Sequence, residues 1–261
     1  MIYINPRKDF DEEGKIAIKI QIDNSLDLGW KREDILLFAN FPYQYRGVKA
    51  IMVSGDNYYS TDPPAATKTY TIPSLFKQNL IENGEIYWSH DLDVYQNEVI
   101  TDAEMESELG MAEMGMTDKG RMPMWNMGSI FFKSAAKEIF DWNKDLLDKF
   151  ETSEEHSIWA LCGNDVFYLD SKAIFIHGLT ERDNPKLKYI HQRIKTINIS
   201  YNFRMWNIRS TISIAKKPIR AVHFHFPDKY ELDFFMYGKN KLNMVLIPER
   251  LIKIFNKHGV S

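Results

Sequence analysis

Short apolar runs with the two-residue period of a strand alternate along this chain with longer segments spaced like helices, and this alternation restricts the fold more than any single motif. Residues 16–22, IAIKIQI, carry isoleucine at every second position and are predicted to form a strand with one apolar face. DILLFANF (34–41), RGVKAIMV (46–53), EIYWS (85–89), WNMGSIFFK (125–133), VFYLD (166–170) and IRAVHFHF (219–226) also read as strands. Between them, a helix is expected over 73–82, with Pro73 near its first turn and Gly84 just past its end. SAAKEIFDWNKDLLDKFE and SEEHSIWALCG open on serine caps and keep helical spacing, and PERLIKIFNKHG closes the chain as a helix. Residues 101–123 are polar and methionine-rich with no clear period, which suits a loop or a lid. No repeat or linker interrupts the series, so one α/β domain over residues 1–261 is expected, a mixed sheet flanked by helices.

Composition supports a packed core, since 44% of the 261 residues are hydrophobic and 13% aromatic. The single cysteine, Cys162, excludes an internal disulfide framework, and the first residues lack a basic-then-apolar secretory pattern. No apolar run approaches the roughly 20 residues of a membrane-spanning helix. A cytoplasmic setting without a membrane span is the expectation. The net charge of −3 conceals an asymmetry: residues 182–220 hold ten basic side chains against Asp183 alone, and the first 181 residues carry −14.

The strand EIYWS runs into HDLDVYQ, which sets Asp91 and Asp93 two residues apart where the chain leaves a sheet. There both carboxylates can turn toward one point. Hard oxygen ligands at the carboxyl end of a strand suit Mg²⁺ or Mn²⁺ and leave room for phosphate oxygens of a substrate, while the competing reading is a loop with capping aspartates. The same spacing at Asp9 and Asp11 lies in a charged N-terminal turn and reads as solvated surface.

Around this pair, KTYTIPSLFKQNLIENGEIYWSHDLDVYQ, MPMWNMGSIFFK, SEEHSIWAL, INISYNF and IRAVHFHFPDK follow one another in an order that resembles the GT-A class of nucleotide-sugar-dependent glycosyltransferases. The resemblance is to its glycogenin-like branch and to small glycosyltransferase-like proteins of phage genomes, and it covers roughly residues 15–230 as an ordered series of short motifs. It implies a GT-A (Rossmann-like) sheet and transfer of a hexose or pentose from a nucleoside-diphosphate sugar, UDP being the expected nucleotide. By the same resemblance Asp91 and Asp93 hold Mn²⁺ or Mg²⁺ and the donor diphosphate. His223, or alternatively His225 on the same strand face, supplies a further metal ligand; either can instead be a packed core histidine. Asn126 and Gly128 line the donor sugar, and Lys229 contacts the donor phosphates, although HFPDK departs from the family's usual ending there. Lys68 sits where the class places a basic residue over the nucleotide, and Tyr43 and Tyr45 are candidates for stacking on the base. Glu155, with Glu154 beside it, matches an acidic pair near the acceptor hydroxyl; acids also favour helix N-termini for the dipole alone.

The basic segment 182–220 interleaves its cations with Tyr189, Tyr201, Phe203 and Trp206, as a DNA-binding surface would. A hydroxymethylated base in DNA is therefore one candidate acceptor, and a glycan or small molecule is the other. The same cations can equally neutralise the acidic front of the chain. Two other function classes stay open: a nucleotidyltransferase, although IQIDNSLDLGW lacks its phosphate loop, and a non-catalytic carbohydrate-binding protein.

Overall fold

The computed structural model describes residues 1–4, 12–53, 67–118, 125–150, 154–161, 190, 192–197, 200–202, 220–223 and 247–260. Within them the order is β1 (Ile2–Ile4), α1 (Glu12–Asp27), β2 (Leu36–Ala39), β3 (Gln44–Tyr45), β4 (Val48–Met52), α2 (Thr67–Lys77), β5 (Ile86–His90), β6 (Val94–Gln96), α3 (Asp102–Leu109), β7 (Met114–Asp118), β8 (Trp125–Lys133), α4 (Lys137–Phe150), α5 (Glu154–Leu161), β9 (Ile194–Ile197), β10 (Ser200–Asn202), β11 (Ala221–His223) and α6 (Glu249–Lys257). The main mixed sheet runs β3-β4-β2-β1-β5-β8-β7-β9, and a second, smaller one runs β10-β11-β6. β1, β2, β4 and β5 are parallel, while β8 lies antiparallel to both β5 and β7.

Alternation along the strands builds two apolar layers. Ile2, Ile4, Phe38, Ile130 and Phe132 face Ile72 and Leu75 of α2 and Ile139 and Phe140 of α4. Tyr3, Leu37, Ala39, Trp88 and Phe131 face Ile18 and Ile22 of α1 and Met105 and Leu109 of α3. No helix among the described residues is long and apolar enough to cross a membrane.

Three local expectations are corrected. IAIKIQI is helix, not strand: Ile18, Ile20 and Ile22 are all at most 1% exposed, because α1 packs on the main sheet through Ile18 and Ile22 and is also covered by β6 and α6. The period of two also makes two i, i+4 pairs, Ile16 with Ile20 and Ile18 with Ile22, so both alternating sets find a helical face. A β-branched residue in a helix costs up to roughly 0.7 kcal/mol against alanine, whereas burying its side chain returns about 1.5–3 kcal/mol, so burial decides. The second correction is α2, which begins at Thr67 and contains Pro73 rather than starting near it. The hydroxyls of Thr71 and Ser74 donate to the carbonyls of Thr67 and Tyr70 within this helix, and its buried face on the α2–α4 layer outweighs the proline. Third, the stretch read as a loop holds α3 and β7. A capping box starts α3, with Glu104 N–H donating to Thr101 Oγ1 and Thr101 N–H to Glu104 Oε2. Met114 and Met116 alternate into the core from β7.

Candidate active site

The chain leaves the main sheet at His90 and enters the second one at Val94, so Asp91–Val94 is the turn that joins the two. The Val94 amide donates to the Asp91 carbonyl at 3.1 Å and closes this turn; the Asp91 amide donates to the Gly128 carbonyl at 2.8 Å and fastens it to β8. Asp91 and Asp93 therefore occupy one tight turn beyond the carboxyl end of β5. His90, 3% exposed, is wedged edge-on against Tyr3 at 4.7 Å and tilted against Trp88 at 4.9 Å, and its Nδ1 lies 2.9 Å from the Asp91 carbonyl. The ring holds the entry to the turn from below.

β8 supplies the other wall through an irregularity. Met116 pairs with Ile130 while the next residue, Thr117, pairs with Asn126, so the register slips and β8 bulges over residues 127–129. Two carbonyls of this bulge serve the site: that of Gly128 accepts from the Asp91 amide, and that of Met127 accepts from Lys68 Nζ at 2.9 Å.

Lys68, in the first turn of α2, is the hub. Its side chain is 5% exposed, and its ammonium lies 2.5 Å from Asp91 Oδ1 and 3.4 Å from Glu154 Oε1. Glu154 is the first residue of α5, which is fixed on α4 by the buried hydroxyl of Ser157 donating to Asn143 Oδ1 at 2.5 Å. Burial alone would push the Lys68 ammonium down, but the charges of Asp91 and Glu154 outweigh it and hold its pKa above the ordinary lysine value. Burial pushes the Glu154 carboxyl above the usual carboxylate range against the pull of Lys68, and the charge of Asp91 adds to the rise. A buried cation thus bridges a half-exposed carboxylate and a buried acid, three groups from three separated segments.

Of the residues singled out by sequence, Asp91, Asp93, Lys68, Gly128 and Glu154 come together here. Glu155 is adjacent and half-buried, and it is Glu154 that reaches Lys68. His223 pairs with Val94 across the antiparallel β6–β11 ladder, so its Cα sits roughly 4.5–5.5 Å from that of the residue following Asp93. The side chains of His223 and Asn126, and the whole of His225 and Lys229, lie outside the described residues, and among the described residues no set of three His, Cys, Asp or Glu side chains converges as a metal cluster. Tyr43 and Tyr45 are engaged elsewhere: Tyr43 packs on the α1 layer, and the Tyr45 hydroxyl donates to Asp23 at 3.2 Å with its ring against His258. Sequence reading did not find the Met127 carbonyl; the methionine in WNMGS gives no sign that its backbone, not its side chain, is used.

The basic segment is described only in part, and its described cations are held within the molecule. Arg193 binds Glu113 at 2.7 Å and Glu138 at 2.8 Å, Arg220 binds Glu104 at 2.8 Å and Glu98 at 3.3 Å, and Lys195 donates to the Glu108 carbonyl.

No protein-family model matches the chain, and no curated protein matches it in sequence. Solved structures do match in fold. An active-site mutant of LgtC superposes with a TM-score of 0.53 at 10% identity, covering 98% of this chain and 95% of the other. The galactosyltransferase LgtC with donor and acceptor sugar analogs gives 0.50 at 10% identity, covering 97% and 99%. The glycosyltransferase GlyE of Streptococcus pneumoniae gives 0.53 at 12% identity, covering 98% of this chain and 62% of GlyE. The chain has the GT-A type α/β fold.

Proposed function

We propose that this chain is a metal-dependent glycosyltransferase that moves a sugar from a nucleoside-diphosphate sugar, with UDP as the nucleotide, to an acceptor hydroxyl. The observation that carries this reading is the Lys68–Asp91–Glu154 cluster at the turn beyond β5. In an open α/β sheet that end of the strands is where ligands bind. The likeness to LgtC, which was solved with donor and acceptor sugar analogs, supports the reading from the side of the fold.

The residues fit a hard divalent cation. Asp91 and Asp93 share one turn, the Asp91 carboxylate is 36% exposed, and His223 follows on the paired strand. Asp91, Asp93 and His223 (or His225) would hold Mn²⁺ or Mg²⁺, whose Lewis acidity would serve the departing diphosphate. Lys68 orients Asp91 and places a fixed positive charge beside it, while the carbonyl of Met127 and the carboxyl of Glu154 keep that ammonium from swinging out. Gly128 anchors the turn through its backbone. We place Glu154, rather than Glu155, nearest the reacting sugar, because it is the one joined to the cluster.

For the acceptor we favour a glycan or small molecule over DNA. Arg193, Lys195 and Arg220 already serve acidic and carbonyl partners of their own chain, which is what cations neutralising an acidic front would do.

The test is Mn²⁺-dependent hydrolysis of a panel of nucleotide sugars, with donor and Mn²⁺ binding followed separately. Asp93→Ala is expected to lower both by at least roughly 10–100-fold, the scale on which loss of even an outer-shell partner acts. A wild-type protein that binds no donor, or a variant indistinguishable from it, would sink the reading. Salt-sensitive binding of DNA in a filter assay would restore the nucleic-acid acceptor.

A further inference from the structure

A second cavity, of about 290 Å³, lies between the C-terminal half of α1, the β3–β4 turn and α6. It shares no residue with the Lys68–Asp91–Glu154 cluster. Among the described residues, Arg46, Arg250, Lys253 and Lys257 line it against Asp23 and Asp27, two positive charges in excess. The carboxylates are claimed by two of the four cations: Asp23 takes Arg46 at 2.7 Å and Lys257 at 2.6 Å, and Arg46 reaches Asp27 at 4.0 Å.

The other two are left with their charge. Arg250 is half-buried, yet among the described residues it donates to neutral acceptors alone, Asn24 Oδ1 at 2.6 Å and the carbonyls of Gln96 and Asn97 at 3.3 and 3.0 Å, and the charge of Asp27 reaches it without a hydrogen bond. Burial pulls its pKa below the ordinary arginine value. Lys253, one turn on along the same helix face, is exposed and makes no ion pair with any described residue. The wall opposite is built at a cost. Arg46 has φ +48, followed by Gly47 at +86, so a non-glycine residue is held left-handed, worth roughly 1–2 kcal/mol, in the turn that presents its guanidinium here.

We infer that this cavity binds a phosphate monoester. A phosphate monoester carries roughly −1.5 to −2 charges at neutral pH, which matches the excess of two, whereas a carboxylate would leave one cation uncompensated. An arginine fork and a lysine point charge are the two chemistries that recognise phosphate. The volume stands near the lower end of the roughly 300–1,000 Å³ of small-molecule sites, so the phosphate comes on a small molecule or as an exposed lipid headgroup. The inference is independent of the glycosyltransferase reading.

Binding is measured on the full chain by calorimetry and thermal melting with glycerol 3-phosphate, against glycerol and sodium chloride at matched ionic strength. A parallel arm uses vesicles with phosphatidic acid against phosphatidylcholine alone. Wild type is expected to bind the phosphate probe, and Lys253→Gln to bind it roughly tenfold more weakly, the effect of losing one charged hydrogen bond. Donor-sugar binding stays unchanged in that variant. Arg250→Gln should weaken the phosphate further; if it fails to fold, the exposed Lys253 position carries the test alone. Response to the vesicles only, lost in Lys253→Gln, assigns the same site to a headgroup. No response to either probe, or equal responses in wild type and variant, overturns the inference.

Discussion

At the scale of single residues, the site turns on which acid Lys68 holds. Two adjacent glutamates open α5, and helix-dipole reasoning treats them alike, since both lie in the first turn. Burial separates them: the Glu154 side chain is 11% exposed and touches the ammonium, while Glu155 is half-buried beside it and adds its charge to that felt by Glu154. Glu154→Gln keeps the shape but removes the acid, and it is expected to lower nucleotide-sugar hydrolysis at least roughly tenfold, by weakening the hold on Lys68 and hence on Asp91. Glu155→Gln should change it less than about threefold. Equal effects from the two variants, each checked by its melting temperature, would remove Glu154 from the cluster. Much of this cluster was legible in the sequence, because the D-x-D pair, the lysine before it and the acids after it are all marked by residue type. The Met127 carbonyl was not, since a backbone acceptor has no letter of its own.

At the scale of elements, legibility followed how many sides of an element are buried. WNMGSIFFK matches β8 to the residue, because its tryptophan, methionine, isoleucine and two phenylalanines suit a strand buried in the middle of a sheet. α1 was misread because burial on opposite sides makes a helix imitate the alternation of a strand. Its buried Gln21 and Asn24 held the correcting signal: their amides donate to the carbonyls of Leu92, Val94 and Gln96, which ties α1 to β6 and so steadies the strand after the D-x-D turn. α3 carried a capping box in plain letters, Thr101 to Glu104, hidden by the absence of a longer period. The contact that seats α3 can be probed where β7 passes under it. A Cβ on Gly115 would stand 2.6 Å from Ile197 Cγ2 and 2.8 Å from Leu109 Cδ2, so the side chains that β9 and α3 pack on β7 must give way. Gly115→Ala is expected to destabilise the protein by about 1–3 kcal/mol, read as a lower urea midpoint with an unchanged slope. An unchanged midpoint would mean that α3 is not packed on β7 as described.

At the scale of the whole molecule, one buried carboxylate joins segments more than 230 residues apart. Asp23, 2% exposed at its side chain, accepts from Lys257 and His258 at the end of α6 and from Arg46 and Tyr45 on the edge hairpin, so α1, the sheet edge and the C-terminal helix meet on it. Nothing in the local sequence marks this aspartate among its neighbours, for the partners converge only once the sheet edge and the last helix are in place. Burial pushes its carboxyl upward, but the hydrogen bonds from Lys257, Arg46 and His258 outweigh that and hold its pKa at about 2, below the ordinary 3.8. The sign follows from linkage. The folded state binds this proton less readily than the unfolded chain, so the contribution is complete above pH 4 and is lost as the pH falls from about 4 to about 2. At about 1.4 kcal/mol per pKa unit it amounts to at most about 2.5 kcal/mol. Urea unfolding at a series of pH values should therefore show wild type losing that much more stability than Asp23→Asn across this window, with the two curves drawing together at its acid end. A gap between the curves that stays constant from pH 5 to pH 2 would show that Asp23 holds α6 by shape and not by charge.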